Sequence, residues 1–263
     1  MVDMSEWFLG TMGFGYKDWE GVFYPDDIRS RNLLTYYSRS FNAVELDTTF
    51  YGVPKSSKVK QWAASVPDHF KFSAKLPRKL THDKGLQRVQ EELDEFIEVM
   101  QILGDKLGVI LIQLPPSFTI AEEKYLEEFL ELLPKGIRFA VEFRHASWIR
   151  PKTEELLQSH QVCWATTEYP GLPNRVRKTC DFLYIRWIGQ HGTYDRHTHE
   201  RVDKTPQLLW WKDQIQPHLD KVGFVYGFFN NDYAGFGVGT CNKFKKILGM
   251  PGELEEVVQG RLF

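Results

Sequence analysis

The sequence predicts an α/β fold, a single-domain (β/α)8 TIM-type barrel of parallel strands spanning residues 1–263. Three observations point there. Short apolar runs alternate with helical patterns almost throughout. Six of those runs carry charged, amide or other polar side chains at or near their C-terminal ends: Ala43 to Phe50, Phe70 to Lys75, Val109 to Gln113, Arg138 to His145, Phe182 to Arg186 and Val225 to Asp232. Within the runs, polar residues fall on one face. Arg138, Ala140, Glu142 and Arg144 alternate with Phe139, Val141 and Phe143, so large apolar side chains would meet helices and polar ones would face the barrel axis. Polar tips repeated on parallel strands converge on one rim, where such barrels place their sites.

Each element has a local reason. Trp7 to Gly10 is a first short strand, and Asn32 to Ser40 carries an apolar stripe of Leu33, Leu34, Tyr36 and Tyr37 at helical spacing. Strand two is Ala43 to Leu46. A helix over Lys58 to Ser65 ends before Pro67, and strand three is Phe70 to Lys75. From Leu86 to Leu103, apolar residues repeat at three and four, with acids opposite, and Gly104 stops the helix. Strand four is Val109 to Gln113. Thr119 and Glu122 form a capping box at the start of a helix that Pro134 terminates. Strand five, Arg138 to Phe143, precedes a helix opened by Pro151 and reaching His160. Val162 to Thr166 is strand six, and the Pro- and Gly-bearing link Glu168 to Asp181 carries no helical pattern. Phe182 to Trp187 is strand seven, Thr205-Pro206 opens a helix to about Leu219, Phe224 to Phe229 is strand eight, and a last helix lies near Asn242 to Leu248. The tail from Met250 to Phe263 is expected on the outside.

Composition narrows the function. Hydrophobic residues make up 42% of the 263, enough for a large core, and aromatic residues 14%. A net charge of −2 gives no global attraction to nucleic acid or membrane. Three widely spaced cysteines without a C-x-x-C fit reduced thiols and a cytoplasmic location. No basic-then-apolar leader is visible at the N-terminus, and no apolar run reaches the ~20 residues that cross a bilayer. Walker, G-x-S-x-G and H-E-x-x-H motifs are absent, and G-T-M-G-F-G lacks the rest of a dinucleotide fingerprint, so no nucleotide cofactor is expected.

The candidate catalytic residues are Glu45, Glu142 and Lys75. Two carboxylates at strand tips suit acid and base roles, and a lysine inside a barrel can form a Schiff base or clamp an anion. The competing reading is an internal salt network in which Arg144 and Arg186 neutralise both acids. Arg144 and Arg186 also offer forked donors for phosphate or carboxylate. Gln113, Asn230 and Asn231 are amides at strand tips that orient polar ligands. Tyr16, Tyr51 and Trp148, with Trp19, Phe50, Tyr194 and Tyr233 nearby, could stack on a base or sugar, or merely roof the barrel. His82 and His145 lie just beyond strand tips. His197 and His199 have H-x-H spacing suited to a transition metal, but they sit in a solvated run with an arginine, so a metal is possible without further support.

Taken together, G-T-M-G-F-G-Y-K-D-W (Gly10 to Trp19), F-N-A-V-E-L-D-T-T-F-Y (Phe41 to Tyr51), F-K-F-S-A-K-L-P (Phe70 to Pro77), I-Q-L-P-P-S-F (Ile112 to Phe118), A-V-E-F-R-H-A-S-W (Ala140 to Trp148) and F-F-N-N-D (Phe228 to Asp232) resemble the YecE-like proteins, the family labelled domain of unknown function 72. The resemblance implies a TIM-type barrel distantly similar to the endonuclease IV and xylose isomerase barrels. Its recurrent polar positions fall on Glu45, Thr49, Tyr51, Lys75, Gln113, Glu142, Arg144, Arg186 and Asn231. The seventh strand often reads R-x-H-G in such proteins, whereas here Ile188 stands in the histidine's place. Lys75 and Gln113 occupy tips that carry metal ligands in the endonuclease IV barrel, which argues against a trinuclear zinc nuclease.

Three functions are therefore expected in order. The first is an enzyme, a hydrolase or lyase, binding an anionic small molecule or nucleic-acid fragment through Lys75, Arg144 and Arg186, with Glu45 or Glu142 exchanging the proton. The second is a non-catalytic ligand- or nucleic-acid-binding barrel. The third is a glycosidase-like hydrolase using Glu45 and Glu142.

Overall fold

The computed structural model describes residues 5–250. Nine strands are present among them, all paired in parallel: β1 (Glu6–Thr11), β2 (Ala43–Leu46), β3 (Lys71–Lys75), β4 (Leu107–Gln113), β5 (Arg138–Glu142), β6 (Cys163–Trp164), β7 (Thr166–Glu168), β8 (Phe182–Trp187) and β9 (Phe224–Phe229). They form two sheets, ordered β1-β9-β8-β7 and β2-β3-β4-β5-β6. The expected sixth strand is two short ones, separated at Ala165. Seven helices intervene: α1 (Leu33–Tyr37), α2 (Ser56–Ala64), α3 (Gln90–Gln101), α4 (Glu123–Glu131), α5 (Pro151–Ser159), α6 (Thr205–Ile215) and α7 (Gly237–Ile247). None is long and apolar enough to cross a membrane. Residues 251–263, all of the expected outer tail but Met250, lie outside the described residues.

Alternation along the strands sorts the side chains into two cores, as the sequence pattern requires. Val44, Phe72, Ile110, Val141, Leu183 and Val225 join the larger one, which packs beneath the helices. Residues of opposite parity from both sheets, including Phe8, Ala43, Leu111, Ala140, Tyr184 and Phe228, form a second cluster. A cluster drawn from both sheets requires their inner faces to meet.

Two regions depart from expectation. Helix α3 starts at Gln90 rather than Leu86, because Leu86 and Arg88 adopt left-handed conformations (φ 66° and 52°) that no helix continues. A π-turn over Lys79–Asp83 precedes that break. The last helix begins at Gly237, five residues before Asn242, where the amide N–H of Gly237 donates to Asn231 Oδ1 at 2.9 Å. The capping box at Thr119 and Glu122 is present, but it opens a 3-10 turn that leads into α4.

Strands β1 and β2 meet at the boundary between the sheets, joined by a bridge from Met12 to Glu45 and by the Gly13 N–H donating to Glu45 O at 2.7 Å. Side chains do the remaining pairing. Asn42 accepts from Leu9 N at 2.9 Å and donates to Trp7 O at 2.7 Å. The Tyr37 hydroxyl accepts from Thr11 N at 2.8 Å and donates to Ala43 O at 3.1 Å. The approach is close enough that a Cβ on Gly10 would fall 1.8 Å from Ala43 O, so only glycine fits.

A charged side chain ties the sheets together from within. Arg186 on β8 reaches Glu45 on β2 and Glu142 on β5, and all three are essentially buried. Two expectations follow. Asn42→Ala leaves the Leu9 and Trp7 backbone groups unpaired and is expected to cost about 1–3 kcal/mol in urea denaturation; a loss under about 0.5 kcal/mol would mean that the seam holds without it. Arg186→Met strands buried carboxylates and is expected to cost about 3–5 kcal/mol at neutral pH. That loss should shrink near pH 4, where a buried carboxylate can take up a proton; a pH-independent loss would point to packing instead.

Candidate functional site

The polar tips of β2, β3, β5 and β8 meet around the Arg186 guanidinium. Its Nε donates to Glu45 Oε2 at 2.9 Å, Nη2 to Glu45 Oε1 at 2.6 Å and Nη1 to Glu142 Oε2 at 2.5 Å. Asp47 lies further out, its Oδ1 3.8 Å from Nη2. The Tyr184 hydroxyl, two residues back on β8, donates to Glu45 Oε2 at 2.6 Å. Arg144 pairs with the other oxygen of Glu142 and packs 4.0 Å from the centroid of the Tyr169 ring. Desolvation opposes charge on all these groups, and the ion pairs oppose desolvation. Burial would raise Glu142, but Arg144 and then Arg186 outweigh it and hold the carboxyl at about 2. Burial would likewise lower Arg186, yet Glu142 and Glu45 keep it well above its ordinary value. Both glutamates are thus committed to cations inside the protein, which is the salt-network alternative raised by the sequence.

The next groups outward are not so matched. Among the described residues, no carboxylate oxygen lies within 4.0 Å of Lys75 Nζ. The ammonium rests 3.9 Å from the centroid of the Phe50 ring, a cation–π contact. Burial and then the Arg186 charge lower its pKa. Asp47 moves the opposite way: burial and then the Glu45 carboxylate raise it to about 7, although a third of its side chain remains open. His82 stacks edge-on to Phe50, and burial followed by Lys75 lowers it to about 4, so it is neutral at physiological pH. The 3-10 turn Asp47–Tyr51 delivers Asp47, Phe50 and Tyr51 to one place. Thr49 anchors that turn, donating between Leu46 O and Lys75 O, each at 2.7 Å.

A cavity of about 630 Å³ opens over these groups, bounded by Asp47, Phe50, Tyr51, Lys75, Arg144 and Arg186, with Met12, Tyr169, Ile188, His191 and Asn230 also in its wall. Gly189 brings the loop after β8 across it. Its φ is +73°, and a Cβ there would lie 2.3 Å from Asp232 O. A second cavity, about 940 Å³, shares Asp47 and runs along Tyr16, Phe14, Pro54 and Trp62.

The structure brings Glu45, Glu142, Lys75, Arg144, Arg186 and Tyr51 together. Tyr16 lines the second cavity, its hydroxyl donating to Met12 O at 2.5 Å, and burial with the Asp47 charge pushes that hydroxyl's pKa up. Four expected ligand contacts fall elsewhere. Trp148 is fully buried between Phe118 and Phe143 and donates its indole N–H to Phe118 O at 2.9 Å, so it is a core residue. Thr49 is buried as an anchor of the turn. Gln113 donates to Leu114 O and Asn231 caps α7, while the adjacent Asn230 lines the cavity. Of the surrounding aromatic residues, Trp19 and Tyr233 are buried. His145 caps a short turn, accepting from Ser147 N. His197 lies between Asp18 and Asp232, and among the described residues no group of three or more His, Cys, Asp or Glu is arranged to hold a metal. Asp47, Tyr169 and His191 were not among the candidate ligand contacts, whereas Asn230 was one of the three strand-tip amides and does line the cavity. Asp47 alone carried a signal, since it shares the inward parity of Glu45.

Comparison with known proteins places this chain in a family. Residues 8–260 match the family described as "Protein of unknown function DUF72". The chain is 34% identical over 119 residues to the UPF0759 protein YecE of Escherichia coli K12, a match covering 45% of this chain and 44% of YecE, so it spans less than half of that relative. It is 30% identical over 269 residues to the UPF0759 protein YunF of Bacillus subtilis, covering 92% of this chain and 94% of YunF. A crystal structure of a DUF72 family protein from Thermotoga maritima superposes with a TM-score of 0.80 at 30% identity, covering 93% of this chain and 99% of that one. A DUF72 protein from Enterococcus faecalis, 21% identical, shares the fold with a TM-score of 0.77, covering 93% of this chain and 96% of that one. With its parallel α/β architecture and a match over nearly its whole length, the chain belongs to the DUF72 family.

Proposed function

We propose that this protein is an enzyme that binds a small phosphate- or carboxylate-bearing substrate in the cavity over Lys75, at the C-terminal mouth of a closed (β/α)8 barrel. Closure is supported by the side-chain and backbone bonds between β1 and β2 and by the continuity of β6 with β7, where Ala165 N still donates to Val141 O at 2.9 Å. Counting β6 and β7 as one interrupted strand leaves eight.

The observation that carries the reading is the charge left over at the mouth. Glu45 and Glu142 offset Arg144 and Arg186. Among the described residues Lys75 has no carboxylate oxygen within 4.0 Å, and it sits in a partly dry site where an incoming anion gains more than it would in water. Arg144 lines the same cavity and offers a second donor. Asp47, with a pKa near neutrality, is the group suited to take or give a proton there. In this reading it takes that role from Glu45 and Glu142, because both glutamates are fully buried in ion pairs with guanidinium groups. The same commitment removes support from a glycosidase using those two glutamates, which needs a carboxyl on each side of the scissile bond.

Sulfate is the direct probe, since it does not titrate between pH 5 and 9. Calorimetry should detect sulfate binding that Lys75→Met weakens at least about tenfold, the loss of one charge-assisted contact. Protonation of Asp47, whose pKa burial and the Glu45 carboxylate push up to about 7, leaves the mouth with a net positive charge, whereas the ionised carboxylate competes with the anion. Affinity should therefore fall as pH rises from 6 to 8, and Asp47→Asn should flatten that fall. Sulfate that binds equally to Lys75→Met, or not at all, contradicts the proposal.

A further inference from the structure

We infer that the substrate is an elongated amphiphile, an anionic head joined to an apolar or aromatic body, and that the body lies in the second cavity beside the mouth. The inference rests on the anion-binding reading above and extends it to the other end of the molecule. Asp47 lines both cavities. Tyr16 borders the larger one and hydrogen-bonds to Met12 O, while Met12 borders the mouth, so the two spaces adjoin along a short wall of Met12, Tyr16 and Asp47.

The two spaces differ in chemistry. The mouth presents Lys75, Arg144 and Arg186. The groove presents Phe14, Leu46, Pro54 and Trp62, with Lys55 and Lys58 among the polar residues in its wall. A molecule carrying charge throughout would leave the aromatic wall unmatched. A bare anion would leave about 940 Å³ beside it filled only by water. Pockets for whole ligands are commonly 300–1,000 Å³, mostly apolar, with a few placed polar groups. Together the mouth and groove have that division of labour.

The test compares head groups alone with head groups carrying a body. Inorganic phosphate, acetate, 1-naphthyl phosphate and 1-naphthoate are titrated by calorimetry into wild type, Lys75→Met and two groove-filling variants. The fillers are Ser57→Trp, on the exposed face of α2, and Gly15→Trp, where an added Cβ meets nothing within 4 Å. Neither residue belongs to the anion-binding group. Wild type should bind the naphthyl form of the preferred head roughly tenfold or more tightly than the head alone, from apolar area removed from water. Either filler should abolish that advantage and leave the affinity of the bare head unchanged. Lys75→Met should weaken both forms. Equal affinity for bare and naphthyl anions, or an advantage that survives both fillers, overturns the groove assignment and leaves the anion site standing. Naphthyl binding that is lost in the fillers but indifferent to Lys75→Met overturns the anion reading and leaves an apolar site. No binding of any probe overturns both.

Discussion

A guanidinium held between two buried carboxylates organises this molecule. Arg186 comes from one sheet and both of its glutamate partners from the other. Three charges removed from water are tolerable only when each is matched in geometry and hydrogen bonding. Tyr184 and Arg144 complete that matching by binding the remaining carboxylate lone pairs. The tie fixes which faces of the two sheets look at each other, and so where β2, β5 and β8 must end. The mouth is shaped by this constraint before any ligand enters.

The same tie decides which groups can do chemistry. Glu45 and Glu142 are the carboxylates that strand position singles out, yet both are paired with buried or nearly buried guanidinium groups. In the proposed reading the acid–base work falls one layer outward, on Lys75 and Asp47. The lysine is pressed toward its neutral form by burial and by Arg186, and the aspartate toward its neutral form by burial and by Glu45. Two groups displaced in opposite directions on the pH scale and facing one cavity form the pattern expected where function rather than stability has set the environment.

Much of the fold could be read from the chain because strand parity is a strict code. Once Phe139, Val141 and Phe143 were assigned to the helix side, Glu142 had to point inward, and it does. The tips also identified the residues around Arg186. What the code lacks is depth. Trp148 follows a strand tip just as Tyr51 does, but one is wholly buried and the other 85% exposed, a difference set by how each turn folds back on its neighbours. Asn230 and Asn231 are equally plausible as neighbouring amides; a 3-10 turn after β9 sends one to the cavity and the other to the start of α7. The start of α3 was misplaced for a backbone reason, since left-handed Leu86 and Arg88 interrupt an apolar period that side-chain spacing alone would continue.

The central claim is that Lys75, with no carboxylate oxygen within 4.0 Å among the described residues, is the cation at the mouth that takes an anion. Its most direct test is the titration of that one amine, followed by NMR of the lysine ε-carbons labelled with carbon-13 and assigned by the spectrum of the Lys75→Met variant. The account requires a pKa below the ordinary lysine value of about 10.4, rising when phosphate or sulfate is added because the bound anion favours the charged form. An ordinary value that no anion moves would mean that Lys75 is solvated like any surface lysine, and the mouth would hold no site for an anion.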